Sequence, residues 1–308
     1  MAHSHHGHDH SGGHAHAPAD FGRAFAVGIA LNSAFIVAEL VFGWLGNSTA
    51  LIADAGHNLS DVLGLFVAWG AASLSKRAPD GRFTYGFRGS SILAALFNAV
   101  FLLVAVGAIG WESVLRFFNP EPVSGMTVMV VAGIGIVINA ATAMMFAKGR
   151  KSDINIEGAF LHMAADAAVS LGVVIAAGLI LWTGQMWIDP LMSLLICAVI
   201  FWSTYGLLRS SVSMSLDAVP AGISAEAVKE FLRKQPGVTQ VHDLHIWPIS
   251  TTETALTCHV VMPAGHPGDR FLIETAHRLA HDFSIGHATL QIEISEDTRC
   301  ALAPDEVV

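Results

Sequence analysis

Six long apolar stretches limit what this chain can fold into. They occupy about half of the 308 residues, at 22–45, 49–75, 90–116, 126–147, 158–183 and 188–208. A helix needs roughly 20 apolar residues to cross about 30 Å of hydrocarbon. With 53% hydrophobic and only 13% charged residues, the composition is far from that of an ordinary soluble domain. We therefore expect a membrane protein, an all-α bundle of six transmembrane helices in a lipid bilayer.

The chain changes in character after residue 210. Helical patterns at 223–235 and 269–284 flank alternating segments, VTQVHDLHIW and ETALTCHVVM, and a last alternating segment, HATLQIEI, follows. This order predicts an α+β domain of the type αββαβ. The expected organisation is a tail at 1–20, a transmembrane domain at 21–210, a soluble domain at 211–296 and a second tail at 297–308.

The basic residues predict the orientation in the membrane. Nearly all of those near the spans lie before the first span, in the second and fourth loops, or after the sixth span, and only Arg116 lies on the opposite side. Cytoplasmic loops carry such an excess, so both termini and the soluble domain are expected in the cytoplasm. The first span has no basic region before it and no cleavage site after it, which argues against a removable signal peptide. The net charge of -9 offers no basic face, so nucleic acid is not an expected partner.

Two matching polar motifs interrupt the apolar spans. His57 and Asp61 lie four residues apart in "ADAGHNLSDV", and His162 and Asp166 repeat the spacing in "LHMAADAAVS". Four residues are about one helical turn, so each pair projects from one helix face. Ionisable groups inside a span are costly and mark ion pathways. Two facing helices would offer two imidazole nitrogens and two carboxylate oxygens, a tetrahedral set suited to Zn²⁺.

Other interpretations of these polar residues stay open at this point. Each pair can instead form hydrogen bonds that pack helices together, although two copies at compatible depths favour the metal site. Asp54, one turn before His57, can assist that site, line an outer vestibule or cap the helix, and Glu39 can serve a proton path or bond to a neighbouring helix. The zinc-peptidase signature HExxH is absent, which disfavours an intramembrane protease. We expect a transport protein and not an enzyme.

Several longer motifs carry a resemblance to a known family. They are NSTALIADAGHNLSDV, RFTYGFRGSSILAALFNA, LHMAADAAVSLGVV, WIDPLMSLLI, LDAVP and VHDLHIW. With them the chain resembles the cation diffusion facilitator family, and it is similar to bacterial zinc exporters. The resemblance implies a homodimer in the bacterial inner membrane that exchanges Zn²⁺ for protons by alternating access. It implies that the transport site consists of His57, Asp61, His162 and Asp166.

One motif departs from the family pattern. Gly89 and Ser91 stand where many relatives have arginine and glutamate, and Arg88 lies one position earlier. An ion pair on the cytoplasmic side cannot therefore be transferred from those relatives to this chain.

The resemblance also implies a ferredoxin-like dimerisation domain at the C-terminus that binds further Zn²⁺. The residues at positions that are ligands in several relatives are His242, His259, His287 and Glu293, and Cys300 is a neighbouring donor. Against this interpretation, histidine is common throughout the domain.

The histidine-rich N-terminus predicts transient metal capture beside the transport entrance. Its low-complexity composition cannot build a core. The histidines concerned are His3, His5, His6, His8, His10, His14 and His16. The alternatives are an expression tag and a neutral tether.

These observations together predict an antiporter that exports Zn²⁺ from the cytoplasm in exchange for protons. One alternative is the same transporter carrying Co²⁺, Ni²⁺ or Cd²⁺, because affinity order alone does not select zinc. The other is a membrane-anchored metal sensor that does not transport.

Overall fold

The structure of this chain is a computed structural model that describes residues 21–75, 77–147, 154–295 and 300. The histidine-rich tail and most of the C-terminal tail lie outside the described residues. Within the helices the side chains of some residues, Asp61 among them, also lie outside the described part.

Six long helices follow one another where the apolar stretches predict them. They are α1 (Phe21–Leu45), α2 (Thr49–Ser75), α3 (Ser90–Phe118), α4 (Gly125–Ala147), α5 (Ile154–Thr183) and α6 (Ile188–Ser215). By length and composition, four segments among the described residues can cross a membrane, namely Ser90–Phe118, Gly125–Met145, Phe160–Thr183 and Ile188–Ser215. In α1 the described apolar segment, Ala30–Leu45, is shorter than these four segments. That α1 and α2 also cross the bilayer stays a prediction.

The exposed side chains of these helices are those of a protein that contacts lipid. Large aromatic residues near helix ends are among the most exposed, including Trp44, Phe118 and Trp182. Aromatic rings of this kind are enriched where a membrane meets water. The helices therefore belong to an integral membrane protein.

The chain forms two compact units. Among the described residues, the first contains those up to Asn58 together with those of Pro120–Met192, and the second contains those of Leu59–Asn119 and those from Ser193 onward. In the first unit α4 packs along α5 and against α1. A Cβ atom on Gly135 would lie only 2.4 Å from Cζ of Phe35, so the absence of a side chain lets α1 and α4 approach closely.

The C-terminal domain lies wholly within the second unit. It contains α7 (Ala225–Arg233), β1 (Gln240–Pro248), β2 (Thr254–Val261), α8 (Asp269–Phe283) and β3 (His287–Glu293), which is the predicted αββαβ order. The sheet order is β1-β2-β3. The first pair of strands is antiparallel and the second is parallel. Both helices bury an apolar stripe, and Leu232 of α7 and Leu279 of α8 join Leu256 of β2 in the core.

Candidate metal sites

His57, His162 and Asp166 come together in the first unit. Nε2 of His57 lies 3.3 Å from Oδ1 of Asp166, and Nε2 of His162 lies 3.6 Å from Oδ2 of the same residue. The two imidazole rings meet at an angle, with centroids 6.3 Å apart. Asp166 is buried and the histidines are partly exposed, so a buried carboxylate faces two partly exposed imidazoles.

The separations between these atoms are of the size that a shared metal ion requires. Two ligand atoms that each lie about 2.0–2.1 Å from a tetrahedral zinc ion are about 3.3 Å apart. Oδ1 and Oδ2 of Asp166 each face a different imidazole, so the donor atoms converge. The arrangement therefore has the donor types and separations of a site for a divalent cation.

Asp61 is the fourth residue that the sequence assigns to this site. It lies one turn after His57 on α2, but its side chain is outside the described residues. Its participation stays a prediction.

Glu39 and Asp54 form a second buried polar group in the same unit. Asn58 donates from Nδ2 to Oε2 of Glu39 at 3.0 Å, and Ser170 donates from Oγ to Oδ2 of Asp54 at 3.1 Å. The two carboxyl groups also lie within hydrogen-bonding reach of each other. Oε1 of Glu39 and Oδ1 of Asp54 have no further hydrogen-bond partner among the described residues. A shared proton or cation would stabilise two buried carboxyl groups that lie this close.

Asp189 is a buried residue to which the sequence analysis assigned no role. The hydroxyl of Ser48 hydrogen-bonds to Oδ1 of Asp189. The N–H and hydroxyl of Thr49 donate to Oδ2 at 2.7 and 2.9 Å. Asp189, and not Asp54, therefore caps the N-terminus of α2, where a negative charge is favourable. The partners lie far apart in the chain, so no local pattern could reveal this role.

A second donor cluster lies in the C-terminal domain. It consists of His242, His259, Glu293 and Cys300, whose ligand atoms all lie within 4.8 Å of one another. Nδ1 of His259 lies 2.8 Å from Oε1 of Glu293 and 3.5 Å from Sγ of Cys300. Nε2 of His242 lies 3.5 Å from Oε2 of Glu293. His242 is buried, and neither of its ring nitrogens has a hydrogen-bond partner among the described residues, so it is free to bind a metal ion.

The strand register explains which residues join this cluster. His242 pairs directly with His259 across β1 and β2. The parallel pairing of β2 with β3 places Gln291 beside His259 and His287 beside Ala255. At about 3.3 Å per residue, His287 is separated from the cluster by four residues of strand, and its ring contacts Tyr85 instead. The structure therefore does not bring the predicted His287 to the cluster, and groups Cys300 with the other three residues.

Asp243 is a neighbour of this cluster that sequence reasoning missed. It lies in an irregularity of β1 and has a φ of 49°. One oxygen lies 2.7 Å from Nε2 of His245, and the other lies 3.4 Å from Nε2 of His259. Carboxylates next to a ligating histidine orient its ring. The only sequence signal was the HDLH spacing, which does not show that the strand is irregular.

Buried Cys258 does not belong to the cluster. Burial, followed by the charge of Asp243, raises the pKa of its thiol to about 12. A thiol that stays protonated is a poor metal ligand. Cys258 therefore serves the core of the domain.

Nitrogen and oxygen donors converge between the helices of this integral membrane protein, and a second donor cluster lies in its small α+β domain. These are the features of a metal-ion transport protein. Comparison with protein families agrees. The model of the cation efflux transmembrane domain matches residues 25–214, and that of the cation efflux protein cytoplasmic domain matches residues 220–295. The chain belongs to the cation efflux family, which confirms the resemblance seen in the sequence. It is a transporter and not an enzyme.

Three curated relatives are similar along nearly their whole length. The cation efflux system protein CzcD of Alcaligenes sp. (strain CT14) is 36% identical over 94% of this chain and 90% of the relative. The zinc transporter ZitB of Escherichia coli (strain K12) is 35% identical over 93% and 92%. A cadmium, cobalt and zinc/H(+)-K(+) antiporter of Bacillus subtilis (strain 168) is 32% identical over 91% and 92%.

Proposed function

We propose that this protein exports Zn²⁺ from the cytoplasm in exchange for protons by alternating access. The observation that carries the proposal is Asp166 between His57 and His162, with Asp61 as the fourth ligand. The protein acts as a homodimer in the bacterial inner membrane. All six helices of the 21–210 domain cross the bilayer, and both termini and the 211–296 domain lie in the cytoplasm.

Two imidazoles support zinc as the substrate. Imidazole suits Zn²⁺ and its neighbours among the transition metals, whereas a site made only of carboxylates suits harder cations. The similarity to a protein named a zinc transporter also supports zinc as the substrate.

The chemistry of the ligands supports proton exchange. A histidine or aspartate binds metal only when deprotonated, so protons and Zn²⁺ compete for the same lone pairs. Histidine exchanges its proton near neutral pH. Glu39 and Asp54 are buried in the same unit and each has one carboxylate oxygen without a hydrogen-bond partner among the described residues, so the pair is a suitable relay for protons that leave this site.

A broader substrate range is the second candidate. The Bacillus relative is named for cadmium and cobalt as well as zinc. The same nitrogen and oxygen donors also bind Co²⁺, Ni²⁺ and Cd²⁺.

Metal binding by the C-terminal domain forms part of the same proposal. His242, His259, Glu293 and Cys300 would hold Zn²⁺ as a structural or regulatory ligand, with Asp243 orienting His259. The histidines of the N-terminal tail would raise the local supply of metal.

Metal flux into sealed vesicles tests the function. Purified protein in liposomes with an internal zinc indicator is expected to move Zn²⁺ when a proton gradient is imposed. Asp166→Ala is expected to abolish this flux, while Glu112→Gln, an exposed carboxylate paired with Arg116, serves as the matched control. A wild-type protein that moves none of Zn²⁺, Cd²⁺, Co²⁺ and Ni²⁺ under a gradient would contradict transport and favour the sensor.

A further inference from the structure

Two polar contacts join the start of α3 to the turn between β1 and β2. Nη1 of Arg88 lies 3.0 Å from Oε1 of Glu253, and the N–H of Thr251 donates to Oγ of Ser91 at 3.0 Å. All four residues belong to the second unit. The contacts join a helix of the membrane domain to the C-terminal domain. None of the four residues belongs to either candidate metal site.

The turn that presents Thr251 and Glu253 is held in one conformation. Oγ of Ser250 accepts the N–H groups of Thr252 at 3.2 Å and of Glu253 at 3.0 Å. The N–H of Ile249 donates to the carbonyl of Glu253 at 2.9 Å. A serine hydroxyl that bonds to nearby backbone groups stabilises a turn, so the side chain of Glu253 is presented from a fixed backbone.

The segment before α3 is equally well ordered by its own hydrogen bonds. The carboxylate of Asp80 accepts the N–H groups of Arg82 and Phe83 at 2.8 and 2.7 Å. These bonds hold the pKa of Asp80 below its usual value. Oγ of Ser91 donates to the carbonyl of Arg88 at 3.0 Å. The lone pairs of this hydroxyl oxygen can therefore accept the N–H of Thr251. The loop can therefore transmit a displacement of the turn to α3.

The loop before α3 lies beside the turn at Gly89. The carbonyl oxygen of Ile249 lies 4.0 Å from the position that a Cβ atom would take on Gly89. Gly89 and Ser91 are the positions at which the chain departs from the family pattern, so the contact belongs to this sequence and is not a transferred feature.

The turn borders a cavity. A cavity of about 330 Å³ is lined by residues 250–254 of the turn, by Met214 at the end of α6 and by Phe283 at the end of α8. Because close-packed interiors resist displacement, a turn beside a cavity can move as a rigid unit at lower cost than one buried in the core.

We propose that Arg88, Ser91, Thr251 and Glu253 form a latch, the α3 latch, through which the C-terminal domain positions the start of α3 during transport. The four are positioning residues and do not touch the metal ion. The inference rests on the proposed function, because it assigns the latch to the transport cycle. Strands β1 and β2, which the turn connects, carry His242 and His259, so metal bound there would stiffen the support of the latch.

Charge reversal tests the ion pair. Arg88→Glu and Glu253→Arg are each expected to lower the maximal rate of zinc transport about two- to fivefold, the range for an exposed pair. The zinc concentration at half-maximal rate should stay unchanged, because the metal ligands are intact. The double variant Arg88→Glu/Glu253→Arg should recover the wild-type rate. Arg270→Glu disrupts a similarly exposed pair with Glu274 inside α8 and should have no effect.

Failure of the latch and failure of transport give different results. If the wild type transports zinc but the single reversals match it, or the double variant does not recover, the latch is wrong. If the wild type does not transport, the proposed function is wrong.

The existence of the contact is tested independently of flux by a Ser91→Cys/Thr251→Cys variant. Mild oxidation of membranes should form a disulfide between these positions, detected by peptide mass spectrometry. A Ser91→Cys/Thr239→Cys control at the other end of β1 should form none. No cross-link at 91–251, or equal cross-linking in the control, would overturn the latch.

Discussion

Nε2 of His57 lies 3.3 Å from Oδ1 of Asp166, although one residue is on α2 and the other on α5. The carboxylate also faces His162 through its second oxygen. A buried aspartate that contacts two imidazoles from different helices is poorly explained as a packing device, since one hydrogen bond would suffice. The following predictions separate a metal site from a structural contact.

Asp166→Asn should abolish transport of every metal. The amide keeps the volume of the side chain but cannot supply an anionic oxygen to the cation. The measurement is uptake of Zn²⁺, Cd²⁺ and Co²⁺ into liposomes, with size-exclusion elution as the control for folding. Near-normal uptake of zinc would remove Asp166 from the ligand set.

His57→Asp should change which metal is preferred while keeping some zinc transport. The substitution replaces a nitrogen donor by an oxygen donor, which favours Mn²⁺ or Cd²⁺ relative to zinc. The pH profile should shift to lower pH, because a carboxylic acid releases its proton more readily than imidazolium. A wild-type metal ranking together with a wild-type pH profile would show that His57 is not a ligand.

Zinc should protect Cys300 from alkylation. Sγ of Cys300 lies 3.5 Å from Nδ1 of His259, so metal bound by the cluster would occupy the thiolate. Cys258 is the internal control, because its pKa of about 12 leaves only a trace of thiolate near pH 8. Labelling with N-ethylmaleimide, with and without zinc, can be followed by mass spectrometry. Equal labelling of Cys300 in both conditions would argue against its role in metal binding.

Asp189→Ala should destabilise the first unit without touching the metal ligands. The substitution removes the cap of α2 and leaves the N–H of Thr49 without its acceptor, a cost of about 2–3 kcal/mol. The thermal midpoint of the detergent-solubilised protein should fall by about 5 °C or more. Glu121→Gln is the matched control, because Glu121 accepts an exposed hydrogen bond from Asn47. Equal midpoints for Asp189→Ala and the wild type would show that the cap contributes little.

Much of the fold follows from local patterns along the sequence. Long apolar stretches predicted the positions of α1–α6, and alternating segments predicted β1–β3. Both patterns depend only on the order of neighbouring residues. The HxxxD spacing placed His162 and Asp166 on one helix face for the same reason. That these two residues meet His57 was a further inference from two matching motifs.

The tertiary structure decided the contacts that no spacing encodes. The register between β2 and β3 separates His287 from His259, because the pairing of distant strands depends on the packing of the whole domain. The fold also brings Cys300, which follows β3, to the cluster. Asp189 caps α2 and Arg88 pairs with Glu253 for a similar reason, since each contact joins residues far apart in the chain. Local sequence determines which groups share a helix face or a strand, whereas the packing of helices and strands determines which of those groups meet.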